Sequence, residues 1–103
     1  MENIKWKYVD KIKATKNVLA AYKDKKKEAL TCPESRKMVH WFESAWKLLE
    51  VEQQLKLKSF YMGETLKDKA EAKLMVETYE SASTIHRTKD HSLLELSYLL
   101  FGS

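Results

Sequence analysis

Residues 31–63 read TCPESRKMVHWFESAWKLLEVEQQLKLKSFYMG, and this stretch decides the fold class. Its opening, Thr31–Cys32–Pro33–Glu34, has the marks of a helix start. The Thr31 hydroxyl can cap free amides, and Glu34 stands three residues on, where its carboxylate reaches back. Pro33 is tolerated in a first turn, where its missing N–H would have no partner. No further Pro and no Gly intervenes before Gly63, a residue able to take the left-handed conformation that closes helices. The spacing therefore predicts one helix over 32–62, on the order of 43 Å long at about 1.5 Å per residue. Met38, Trp41, Phe42, Ala45, Trp46, Leu48 and Leu49 fill a broad apolar face, the densest part of the expected core. From Val51 the face changes. Glu52 and Lys56 continue the first stripe, while Trp41, Leu48, Leu55 and Met62 keep a strict seven-residue line. That line is half of a coiled-coil seam, but its companions Ala45, Glu52 and Ser59 turn polar, which favours a short helix–helix contact over a long coiled coil.

Upstream, a helix is predicted over 2–29. Ile4, Tyr8, Ile12, Val18, Leu19 and Tyr22 recur at helical spacing and form one stripe, with Trp6 and Val9 on the far side among Lys13, Lys16 and Lys27. Residues 1–30 carry a net charge of +5 and residues 31–103 a net −1, so the whole basic excess belongs to this first element. Its Lys23–Asp24–Lys25–Lys26–Lys27 run near the end suits the negative pole of the helix dipole. Downstream, Thr65 with Asp68 predicts a helix over 65–86 carrying Leu66, Ala70, Leu74, Thr78, Ala82 and Ile85. Gly63 within one continuous helix is the alternative. Arg87 to His91 read as a polar loop. Ser92 with Glu95 then starts a short helix over 92–101 that is apolar nearly all round and ends at Gly102.

The expected architecture is all-α: an antiparallel three-helix bundle with a short apolar C-terminal fourth helix, one domain over residues 1–103. With only two Gly and one Pro in 103 residues, the chain has few places to turn, which argues against a fold of many short strands. A single Cys cannot form an internal disulfide, no signal core is evident, and no apolar run approaches the roughly 18 residues that span a bilayer. These features predict a cytoplasmic protein with no membrane partner.

Catalytic and metal chemistry find no support in the spacing. His86 and His91 fall about 140° apart on a helix, and neither a His–Glu–x–x–His nor a Glu–x–x–His pair occurs. Cys32 sits at a helix start but reads as a packing residue, the carboxylates lie beside lysines at helical spacing, and no Gly-rich loop is present. The expectation is a non-enzyme with no catalytic residues, metal, cofactor or small-molecule substrate. A helix-turn-helix centred on Gly63 is rejected, because it would bury Lys58, Glu64 and Lys69. The leading functional reading is a small helical adaptor or regulator that binds another protein or itself. Its candidate self-association residues are Trp41, Leu48, Leu55, Met62, Leu96, Leu99, Leu100 and Phe101. The alternative is a basic nucleic-acid-associated protein whose first helix meets phosphate, or an acidic partner, through Trp6, Lys13, Lys16, Lys23, Lys25, Lys26 and Lys27. A third reading, a phage or mobile-element assembly component, rests on small size, Lys-rich composition and the absence of motifs.

Overall fold

The helix expected over 32–62 is two helices, and the helix expected over 65–86 also ends early. The computed structural model describes residues 4–62 and 67–102, with side chains for 10–62 and 69–102. Among the described residues there are five helices and no strand: α1 (Ile4–Glu28), α2 (Pro33–Trp46), α3 (Val51–Tyr61), α4 (Lys67–Thr78) and α5 (Ala82–Phe101). This replaces the three-helix bundle with a short fourth helix. The Gly63 terminator and the Thr65–Asp68 cap rest on groups outside the described residues and side chains.

The break between α2 and α3 has its own hydrogen bonds. At the end of α2 the Leu48 and Leu49 amides bond three residues back, to the Ala45 and Trp46 carbonyls, both at 3.0 Å. Glu50 is extended, and its N–H donates to the Gln53 side-chain oxygen at 2.9 Å, which starts α3. Gln54 Nε2 then donates to the Trp46 carbonyl at 3.0 Å, a second bond to the acceptor already held by the Leu49 amide. The turn buries Leu49 and leaves Leu48 and Val51 exposed. The start of α2 also differs from expectation. Pro33 is the first helical residue, but the cap position is Cys32 with no side-chain cap bond, since Thr31 is taken into the last turn of α1 by its amide bond to the Glu28 carbonyl at 3.0 Å. Instead, Ser35 Oγ donates to Glu28 Oε2 at 2.9 Å and ties the two helices together.

Arg87 to His91, expected as a loop, lie inside α5. Thr88 and Ser92 hydroxyls donate to the carbonyls of Thr84 and Thr88, at 2.8 and 2.7 Å, so these polar side chains are satisfied within the helix and do not break it. Ser92 is buried mid-helix, so the Ser92–Glu95 pair is not a helix start. The helix begins ten residues earlier, at Ala82, and this long α5 packs on all four other helices. Leu93, Leu96 and Leu100 of α5 join Leu19, Phe42, Ala45, Leu49 and Leu57 in the main core. Each fully buried Leu in such a cluster contributes roughly 1.5–3 kcal/mol. Lys11 Nζ donates to the Gly102 carbonyl at 3.0 Å, which places the end of α5 against the first half of α1.

Candidate nucleic-acid interface

Helices α4 and α5 are joined by only three residues, Tyr79, Glu80 and Ser81. Tyr79 takes a left-handed conformation at φ 58°, a position that ordinarily favours Gly, and its side chain is 94% exposed. Ser81 is extended and caps α5, its hydroxyl accepting from the Thr84 amide at 3.3 Å. Glu80 points the other way, to α3, and receives the Lys56 ammonium at 3.0 Å. Lys56 is buried, and its hydrogen bond holds the Glu80 carboxyl below the usual carboxylate range. Ala70 and Leu74 of α4 and Ile85 of α5 are fully buried, and α3 packs on both helices. Three helices thus fix one short turn from below.

The outer side of α5 stays open. Ser83, Arg87 and Asp90 recur at helical spacing along one face, and all three are exposed. The flank is held by named contacts. His86 Nε2 pairs with Glu71 of α4, and its ring lies 5.6 Å from Phe60 of α3. Lys89 stands 4.8 Å over the Phe60 ring and 5.9 Å over Tyr61. Lys16 of α1 reaches the same Tyr61 ring at 5.8 Å, so a cation from the first helix and one from α5 share one ring of α3. Burial pushes the Tyr61 phenol up, so it stays neutral between the two cations. Lys69 and Lys73 are exposed on α4.

The basic residues singled out from the sequence divide into groups. Lys13 and Lys16 project from α1 into solvent. Lys25 pairs with Glu28 at 3.2 Å and Lys26 with Glu43 at 2.7 Å, while Lys23, Lys26 and Lys27 line a groove against α2. The Trp6 side chain lies outside those described.

The self-association residues are also separated. The line through Trp41, Leu48, Leu55 and Met62 is not one seam, because residues 47–50 interrupt the helix: Trp41 is on α2, Leu48 in the connection, Leu55 on α3 and Met62 just beyond it. Leu96 and Leu100 are buried in the chain's own core, against which Leu99 and Met62 also pack. Leu48 is exposed in the connection, and Phe101 and Trp41 are exposed with rings 5.6 Å apart, continued along the same face of α5 by Tyr98 and Leu94.

Among the described residues, no helix is long and apolar enough to cross a membrane, and no three His, Cys, Asp or Glu side chains are grouped to hold a metal ion. The chain matches no protein-family model, and no curated protein or solved structure is significantly similar to it. Ser81, Ser83 and Arg87 were missed from the sequence, although Ser81 standing three residues before Thr84 carries an N-cap signal.

Proposed function

We propose that the protein is a non-enzymatic DNA-binding regulator in which α4, the turn at 79–81 and α5 act as a helix-turn-helix. A helix-turn-helix places the first half of its second helix in the major groove while the preceding helix crosses the backbone. The observation that carries this reading is the three-residue turn pinned by Lys56–Glu80, beyond which α5 presents an exposed polar face. On that face Arg87 is the base reader, since a guanidinium can donate two hydrogen bonds to a guanine edge. Ser83 is the second contact. Lys13, Lys16, Lys69 and Lys73 supply the sequence-independent attraction to phosphate. The basic first helix keeps the role suggested by its charge, as a flank to the reading helix.

Selection from a randomised duplex library, followed by fluorescence anisotropy on the enriched sequence, tests this. Salt-sensitive binding with a recovered preference is expected, and the preference is expected to disappear in Arg87→Ala. No binding to any duplex at low salt rejects the reading.

A second reading is the protein-binding adaptor, acting as a homodimer. Its support is the exposed strip of Trp41, Phe101, Tyr98 and Leu94, of which Tyr98 is 57% exposed. The two readings are compatible, because paired helix-turn-helix units read paired half-sites. Light scattering at rising concentration, with Tyr98→Glu as the variant, tests for the dimer. A wild type that remains monomeric at high concentration removes this reading.

A further inference from the structure

A cavity between α1, α2 and the end of α3 has no part in the DNA-binding reading. Its volume is about 560 Å³, within the roughly 300–1,000 Å³ of sites for small organic ligands. One wall is aromatic: the Tyr22 and Phe42 rings are 4.8 Å apart, and Phe42 stacks on Trp46 at 5.5 Å. Four lysines, Lys23, Lys26, Lys27 and Lys58, line the cavity against one acidic residue, Glu43. Glu43 is already engaged. It accepts from Lys26 Nζ at 2.7 Å and from the Tyr22 hydroxyl, and these bonds, Lys26 first, hold its carboxyl below the usual range. Lys26 therefore offsets Glu43, and Lys23, Lys27 and Lys58 are left with no acidic partner within the cavity lining.

The cavity thus joins a flat apolar wall to a surplus of positive charge. A neutral apolar molecule would leave the lysines unmatched, and a bare inorganic anion would leave the rings in water. We infer that the cavity binds a small amphipathic organic anion, with its ring system against the half-buried Trp46 and Tyr22 rings, behind which Phe42 is buried, and its acidic group at Lys23 and Lys27. The structure offers this ligand cations and a surface to stack on, but no chemistry to transform it, so the role is binding. The inference does not depend on DNA binding.

The test is a fluorescence titration with two dyes that share a ring system: 8-anilinonaphthalene-1-sulfonate and its uncharged parent, N-phenyl-1-naphthylamine. The sulfonate dye is expected to bind once per chain, about tenfold more tightly than the uncharged one, and to quench tryptophan emission as it does. Lys23→Gln combined with Lys27→Gln changes only exposed side chains. This variant is expected to lower the affinity for the sulfonate dye to that for its parent, with parent binding and the thermal melt unchanged. Equal affinities for the two dyes in the wild type would overturn the inference. So would a sulfonate affinity unmoved in the double variant, which would place the dye on the Trp41–Tyr98 strip. Displacement of the dye by duplex DNA would assign the cavity to the nucleic-acid surface and overturn it as well.

Discussion

The first helix and the α4–α5 pair handle charge in different ways. Residues 1–30 hold a net +5, and Lys13 extends it into solvent, with Lys16 exposed beside the Tyr61 ring. Around the α4–α5 turn, Lys56 is held by Glu80, His86 by Glu71 and Lys89 over the Phe60 ring, while Lys69, Lys73 and Arg87 stay exposed. An unfixed cation attracts any phosphate within a Debye length, and so raises affinity without choosing a sequence. A fixed one sets the position of a helix, which is what discrimination requires. Net charge alone would have assigned the whole interface to α1. In the DNA-binding reading we propose, discrimination would fall to α5, and the exposed lysines of α1 and α4 would supply the affinity.

The comparison breaks most visibly in stability. Leu74→Ala or Ile85→Ala should cost on the order of 2–5 kcal/mol by urea unfolding, because both side chains are fully buried under the turn. Lys13→Gln with Lys16→Gln should change stability by less than about 0.5 kcal/mol. A small loss in Leu74→Ala would mean that the α4–α5 pair is not held as described.

In binding, Arg87→Ala should cost on the order of 1–3 kcal/mol at the selected sequence and little elsewhere. Lys13→Gln should weaken all sequences alike and lower the log–log salt slope by about 0.9. If the two variants behave identically in anisotropy titrations, the division of labour is wrong.

Lys56→Met should lower the Tm by less than Leu74→Ala does, and the effect should depend on pH. The Glu80 carboxyl is held below its ordinary value of 4.5, so the pair stabilises fully above that value and loses its contribution as pH falls through the folded-state value. The Tm gap between wild type and Lys56→Met should therefore be widest near neutrality and narrow below about pH 4. A gap constant from pH 7 to pH 3 would show that Lys56 acts only through packing.

The smallest effect is expected at the turn itself. Tyr79→Gly should raise stability by up to about 1 kcal/mol, since the left-handed backbone costs Tyr more than Gly and the ring buries almost nothing. If the same variant weakens DNA binding, the ring is a contact.

The all-α class was legible because the apolar stripes and the scarcity of Gly and Pro both point to it. The two helix breaks were not, and for one reason: each is made by residues that do not advertise a turn. Glu50 is an uncommon N-cap, and the start of α3 is marked only by Gln53 reaching back. The change of face at Val51 was visible and was read as a change of seam within one helix. Tyr79 occupies a left-handed position without a Gly to mark it, so the sequence gives no signal for the turn at 79–81. With Arg87 to His91 reading as a polar loop, the sequence gives Ser83, Arg87 and Asp90 no common face. Lys13 and Lys16 stand out in the sequence as candidate phosphate contacts because charge needs no register, whereas Ser83 and Arg87 share a face only once the helix start at Ala82 is fixed.

The Lys56–Glu80 contact also has a consequence in time. Three residues between two helices look like a hinge, yet Lys56 is buried in α3 while its partner lies in the turn. The turn cannot swing open unless α3 moves with it or an ammonium is left unmatched in apolar surroundings. Amide hydrogen exchange at Tyr79 and Glu80 should then follow the same opening event as the amides of α3, despite the exposure of the turn, and α3, α4 and α5 should exchange as one cooperative unit.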